Sequence, residues 1–75
     1  MRLPLLVAGM EFGTVVQWLK GEGEAVVAGE PVVEVEAEKA NHELEAPDSG
    51  ILAEIVAVEG DEIAVGGLLA VIEPA

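Results

Sequence analysis

Few residues in this chain of 75 can do chemistry. It holds no Cys and no Tyr, a single His, and three basic residues against fifteen acidic ones. Composition therefore excludes thiolate nucleophiles, disulfides and Cys-bound metals. His42 stands alone among scattered Glu, without the ligand spacing of a metal site. Its parity puts it on the face shared by Leu44 and Ala46, so it reads as a half-buried packing residue. Lys39 remains, within Glu34-Val35-Glu36-Ala37-Glu38-Lys39-Ala40-Asn41-His42-Glu43-Leu44-Glu45-Ala46-Pro47. A nucleophilic lysine needs burial or a cationic neighbour. Lys39 has carboxylates on both sides instead, at a point where the chain reverses. It is a poor unaided catalyst. It fits a solvating charge on a tight turn, or an acceptor that another enzyme modifies.

The stretch around Lys39 alternates apolar and polar residues on both arms, the period-2 signature of a half-buried hairpin. With Glu38 and Lys39 as the central turn residues, positions whose numbers sum to 77 face each other. Val33 then meets Leu44 and Val35 meets His42 on the inward face. Glu34 meets Glu43 and Glu36 meets Asn41 on the outward face. A facing Glu34–Glu43 pair is mildly unfavourable. The turn lacks the Asn-Gly or Asp-Gly of favoured two-residue hairpins. A type I turn accepts Glu and Lys, so the sequence does not fix the turn geometry.

The remainder must position this hairpin. Leu3 to Val7 reads as a first strand, Thr14 to Lys20 as a second, and Ala25 to Ala28 as a short extended piece. Val32 to Glu38 and Asn41 to Ala46 are the hairpin arms. Ile51 to Val58, Ile63 to Val65 and Leu68 to Glu73 complete the set, separated by Gly-rich turns. No ten-residue window keeps a helical period free of Gly or Pro. The expectation is an all-β single domain over residues 1–75 with about eight short strands. The chain also repeats itself. Gly13 and Gly50 are 37 residues apart, as are Gly23 and Gly60, Val26 and Ile63, Gly29 and Gly66, Val32 and Leu69, and Val35 and Ile72. Two copies are too few for a solenoid. They point to a small sandwich or flattened barrel with internal two-fold pseudosymmetry. The same spacing carries Lys39 onto the chain ends, so the lysine turn and the termini are expected at equivalent, opposite poles. Trp18 falls opposite Ile55 and reads as core.

Charge bounds the partners. A formal charge of −12 argues against nucleic acid and against an anionic membrane surface. It suits solubility and steering toward basic partner surfaces. No apolar run is long enough for a membrane span. The apolar run of Met1 to Gly9 is very short and interrupted by Pro4, so no targeting segment is read there. Gly21-Glu22-Gly23 is a turn without the strand–helix context of a phosphate loop.

The stretches Gly13-Thr14-Val15-Val16-Gln17-Trp18-Leu19-Lys20, Gly23-Glu24-Ala25-Val26, Gly29-Glu30-Pro31-Val32, Glu34 to Ala40, and Ala46-Pro47-Asp48-Ser49-Gly50-Ile51-Leu52 carry a resemblance that covers essentially the whole chain: it resembles the lipoyl domain of the acyltransferase (E2) component of 2-oxo acid dehydrogenase complexes. It implies a flattened β-barrel of two four-stranded antiparallel sheets. The family's modified lysine sits in a turn usually reading Asp-Lys-Ala, and Glu38-Lys39-Ala40 fills that place, with Glu for Asp. The resemblance thus implies lipoic acid in amide linkage to Lys39, with Glu38 and Ala40 read by the modifying lipoate ligase or lipoyl transferase. It implies a swinging arm that takes an acyl group from a thiamine-dependent E1 decarboxylase and passes it to coenzyme A at the E2 acyltransferase core. E3 dihydrolipoamide dehydrogenase then reoxidises the arm. It assigns partner recognition to the loop holding Met10, Glu11 and Phe12, and to Glu36 and Asn41 beside the turn. It implies a bacterial cytoplasm or a mitochondrial matrix as the compartment.

Three other readings compete with the lipoyl carrier. Biotin carrier domains place Met on both sides of their lysine, and Glu38 and Ala40 do not match. Glycine-cleavage H proteins share the central domain but are considerably longer. From another class, the acidic hairpin could serve as an unmodified docking surface. The chain has no room for an acyltransferase domain, so no catalysis is expected of it.

Overall fold

A computed structural model describes residues 1–74. Seven strands succeed one another: β1 (Phe12–Trp18), β2 (Ala25–Val26), β3 (Pro31–Ala37), β4 (Ala40–Glu45), β5 (Gly50–Ile55), β6 (Glu62–Ala64) and β7 (Ala70–Glu73). They form two antiparallel sheets, ordered β4-β3-β1-β6 and β2-β5-β7. There is no helix among the described residues, as the absence of a helical period requires. The all-β expectation holds, and the strands lie within a few residues of their expected bounds. Ile51 to Val58 is the main exception. Its strand ends at Ile55, where Val56 and Ala57 turn their N–H groups to the Leu69 carbonyl.

The N-terminal strand differs more. Leu3 to Val7 does not pair as a strand; a lone bridge joins Arg2 to Leu68. Met1 and Leu3 make backbone hydrogen bonds with Gly66, Gly67 and Leu69, and the ladder stops at Pro4. Proline offers no N–H to continue it. Beyond Pro4 the chain loops outward until β1 begins. The Arg2–Leu68 bridge holds the fourth place in the second sheet that β4 holds in the first.

The internal repeat is a property of the fold as well as of the sequence. Thr14↔Glu36 and Val15↔Val35 in β1–β3 recur 37 residues on as Ile51↔Glu73 and Leu52↔Ile72 in β5–β7. Gly13↔Ile63 and Gly50↔Val26 are likewise counterparts. A bulge between Val15 and Gln17 is repeated between Leu52 and Glu54, giving each sheet the same local twist. At the N-terminus the spacing changes to 43, because Arg2↔Leu68 corresponds to Glu45↔Pro31. The difference lies in the Pro4–Glu11 loop, which is longer than its counterpart, Pro47-Asp48. This shift moves the N-terminus from its expected pole. Met1 and Arg2 lie against Leu44, Glu45 and Pro47, at the base of the hairpin whose tip carries Lys39.

The core sits between the sheets. Leu3, Val15, Val32, Val33, Val35, Leu52 and Leu69 are its largest fully buried side chains. Val15 and Leu52, and Val32 and Leu69, are repeat-related, so each half contributes equivalent apolar residues. Adjacent Val32 and Val33 are both buried because β3 carries an irregularity between Pro31 and Val33. No side chain with a polar or charged group is fully buried among the described residues.

Candidate functional site

The hairpin pairs in the expected register: Val33↔Leu44, Glu34↔Glu43, Val35↔His42, Glu36↔Asn41 and Ala37↔Ala40. Its inward residues Val33, Val35, Ala37 and Leu44 are buried. They anchor the hairpin to the core up to the last residue before the turn. The outward Glu36, Asn41 and Glu43 are exposed. The like-charged Glu34–Glu43 pair is relieved on one side, where Gln17 Nε2 donates to Glu34 Oε1 at 2.9 Å.

The turn is not type I. Glu38 has φ 51° and Lys39 φ 64°, so both central residues are left-handed, as in a type I′ turn. Type I′ matches the right-handed twist of the flanking strands, where type I would splay them. Ladder pairing continues to Ala37↔Ala40, which leaves only two residues to reverse the chain. The strand twist thus overrides the local preference of Glu and Lys.

Lys39 is exposed at this tip between exposed Glu38 and Ala40. Both ion pairs among the described residues belong to Lys20, with Glu24 at 3.9 Å and Glu30 at 3.4 Å. Arg2 Nη1 donates to the Gly66 carbonyl at 2.8 Å. Lys39 therefore projects from a rigid base with no ion pair among the described residues. That arrangement suits covalent loading: Nζ is accessible, and amide formation would break no existing ion pair among them.

The fold brings the first loop beside this lysine. A groove of about 390 Å³ is lined by Gly9, Glu11, Phe12 and Thr14 on one side and by Glu36, Ala37, Glu38 and Lys39 on the other. Phe12 is 50% exposed there. It opens β1 opposite Ala64 and does not cap the core. Met10 does the anchoring instead: it is buried, and its sulfur accepts the Leu6 N–H at 3.4 Å. Of the residues singled out from the sequence, Glu11, Phe12, Glu36, Glu38 and Lys39 share one groove. Ala40 closes the turn, and Asn41 faces Glu36 on the ladder outside the groove. Gly9 and Thr14 join the groove beyond those expected. Thr14 shares the outer face of β1 with Phe12, a placement that the alternation of outward Phe12 and Thr14 with buried Gly13 and Val15 makes readable.

Two other candidates resolve simply. His42 is half-buried beside the core, with a buried Nε2 that finds no protein partner. No group of three or more His, Cys, Asp or Glu among the described residues could hold a metal. Trp18 is not a core residue in full. It is half-buried, and its indole N–H donates to the Ala57 carbonyl at 2.8 Å.

Known proteins share this sequence and this shape. A family model described as "Biotin-requiring enzyme" matches residues 1–72. Pyruvate dehydrogenase protein X component of Mus musculus is 49% identical over 69 residues, covering 91% of this chain and 14% of that protein. The dihydrolipoyllysine-residue acetyltransferase component of the Zymomonas mobilis pyruvate dehydrogenase complex is 45% identical over 75 residues, covering 99% of this chain and 17% of its own. The succinyltransferase component of the Staphylococcus saprophyticus 2-oxoglutarate dehydrogenase complex is 39% identical over 71 residues, covering 95% and 17%. The chain thus spans less than a fifth of these curated relatives. The solution structure of the lipoyl domain of the Azotobacter vinelandii 2-oxoglutarate dehydrogenase complex superposes with a TM-score of 0.79 at 37% identity. That match covers 100% of this chain and 96% of that one. An all-β fold of two repeat-related sheets, a lysine lifted on a hairpin tip and similarity across nearly every residue lead to one conclusion: the chain belongs to the biotin–lipoyl family, as a lipoyl domain homologous to those of 2-oxo acid dehydrogenase acyltransferase components.

Proposed function

We propose that Lys39 carries a lipoyl group in amide linkage and that the domain is a swinging-arm carrier within a 2-oxo acid dehydrogenase complex. The observation that carries this reading is the exposed Lys39 on a two-residue left-handed turn, without an ion pair among the described residues. When bound, the lipoyl group supplies the acyl-transfer and redox chemistry of its dithiolane. The protein's part is mechanical and electrostatic. Val33, Val35, Ala37 and Leu44 fix the base of the hairpin, so the arm starts from a defined point. Glu36, Glu38 and Glu43 keep the tip hydrated. Amide formation removes the Lys39 charge and leaves the domain one unit more acidic.

Glu38 and Ala40, on either side of the acceptor, are the residues we assign to reading by a lipoate ligase or lipoyl transferase. The groove of Glu11, Phe12 and Glu36, with Asn41 next to it, is the surface we assign to a thiamine-dependent E1 decarboxylase. An E2 acyltransferase core and an E3 dihydrolipoamide dehydrogenase complete the circuit. Tethering raises the effective concentration of the arm at each of their sites. The domain itself performs no catalysis in this reading.

Intact-mass measurement after incubation with a lipoate ligase, and separately with a biotin ligase, tests the assignment. The expected result is one lipoyl increment on the native chain and none on Lys39→Ala, with both chains giving the same circular dichroism. A biotin increment would make the chain a biotin carrier. No increment from either enzyme on the folded chain would leave an unmodified interaction module.

A further inference from the structure

β1 connects two grooves. Phe12, at one end, lines the Lys39 groove; Trp18, at the other, lines a second. This second groove, about 580 Å³, is bounded by Trp18, Glu22, Ile55, Val58 and Glu59. Trp18 and Ile55 are 37 residues apart, and so are Glu22 and Glu59. Two repeat-related pairs thus face one space, which places the groove on the pseudo-two-fold between the halves. Its floor is apolar and its rim is acidic. The Trp18 N–H is already satisfied by the Ala57 carbonyl at 2.8 Å, which leaves the indole ring as apolar surface. The Ile55 N–H donates to Glu22 Oε2 at 2.7 Å and pins that carboxylate at the rim. Neither rim carboxylate enters an ion pair among the described residues. Val58 is 55% exposed. Exposed apolar surface with a polar rim marks an interaction site.

We propose that this groove docks a short peptide segment of a partner protein, with an apolar centre and a Lys or Arg on each side of it. The apolar centre covers Trp18, Ile55 and Val58. The flanking cations meet Glu22 and Glu59, and one of them can lie against the Trp18 ring face. Charge selects this occupant. A second copy of the chain would bring its own Glu22 and Glu59 to the same rim, on a molecule of net charge −12, so self-pairing is opposed. An acidic segment is opposed in the same way. Docking here is independent of Lys39, since no residue is shared between the two grooves.

Trp18 is the single tryptophan, so its fluorescence reports on the groove directly. The probe is the blocked synthetic peptide Lys-Leu-Val-Leu-Lys; the controls are Glu-Leu-Val-Leu-Glu and Lys-Ser-Ser-Ser-Lys. The expected result is a saturable change in Trp18 emission with the probe, weakening as salt rises, and none with the controls. Glu22→Gln and Glu59→Gln should each weaken binding about two- to fivefold. Gln at position 22 keeps an acceptor for the Ile55 N–H, and both positions are exposed, so both variants fold. Val58→Ser, also at an exposed site, should weaken it further. Absence of saturation at millimolar probe, equal binding of either control, or unchanged affinity in both Gln variants would overturn the proposal. So would an emission change that tracks protein concentration without peptide, which would assign the face to self-association.

Discussion

Glu38 and Lys39 are two consecutive left-handed residues, and neither is Gly or Asn. Left-handed backbone costs an L-residue roughly 1–2 kcal/mol. The cost is held by the ladder beneath, which pairs residues up to Ala37↔Ala40 and buries Ala37. Replacing Glu38 with Asn, which tolerates this conformation, should stabilise the domain by about 0.5–1 kcal/mol. Glu38→Val, β-branched at a positive φ, should destabilise it by about 1 kcal/mol or more. Urea unfolding of the two variants measures both signs; equal effects would mean that the turn is not strained. The alternation of Val33, Val35 and Leu44 with Glu residues makes the inward face of the hairpin legible in the sequence, and the observed register follows once Glu38 and Lys39 are taken as the central turn residues. The turn type is not, since Glu-Lys carries no signal for type I′ and the twist that imposes it comes from β3 and β4 together.

Strands meet closely where the repeats place glycine. A Cβ on Gly50 would run into the backbone carbonyl oxygen of Glu73 on the paired strand β7. A Cβ on the repeat-related Gly13 would meet a methyl of Val35, 2.7 Å away. Gly50→Ala must therefore separate β5 from β7, whereas Gly13→Ala has a side chain to displace. Both should destabilise, by about 1–3 kcal/mol, with Gly50→Ala the larger; thermal unfolding of the pair tests the order. The matched glycines, 37 residues apart, make the pseudosymmetry visible in the sequence itself. The N-terminal segment is less legible. Leu3 to Val7 has the composition of a strand, but Pro4 ends the ladder after the Arg2–Leu68 bridge. From there a loop carries Glu11 and Phe12 to the lysine. The family resemblance put that loop near Lys39. The groove itself needed the tertiary fold, because Gly9 and Thr14 are separated from Lys39 by more than twenty residues of sequence.

Across the molecule, the two-fold organises more than the core. Single copies of Trp18, Glu22, Ile55 and Glu59 look like core or turn residues in sequence, and only the superposition of the halves joins them into one groove. The same operation, altered by the longer first loop, sets the N-terminus at the base of the lysine hairpin and leaves the tip clear. The fold thus separates the proposed modification site at one end of β1 from an acidic, apolar-floored groove at the other. A net charge of −12 disfavours self-association at either.

Lys39 is the residue we propose to be modified. Tandem mass spectrometry of a proteolytic digest, after treatment of the folded chain with lipoate ligase, locates the added group directly. The expected result is a lipoyl increment on the peptide containing Glu38-Lys39-Ala40, with Lys20 and the N-terminal amine unmodified. An increment on Lys20 or on Met1, with Lys39 left free, would contradict it.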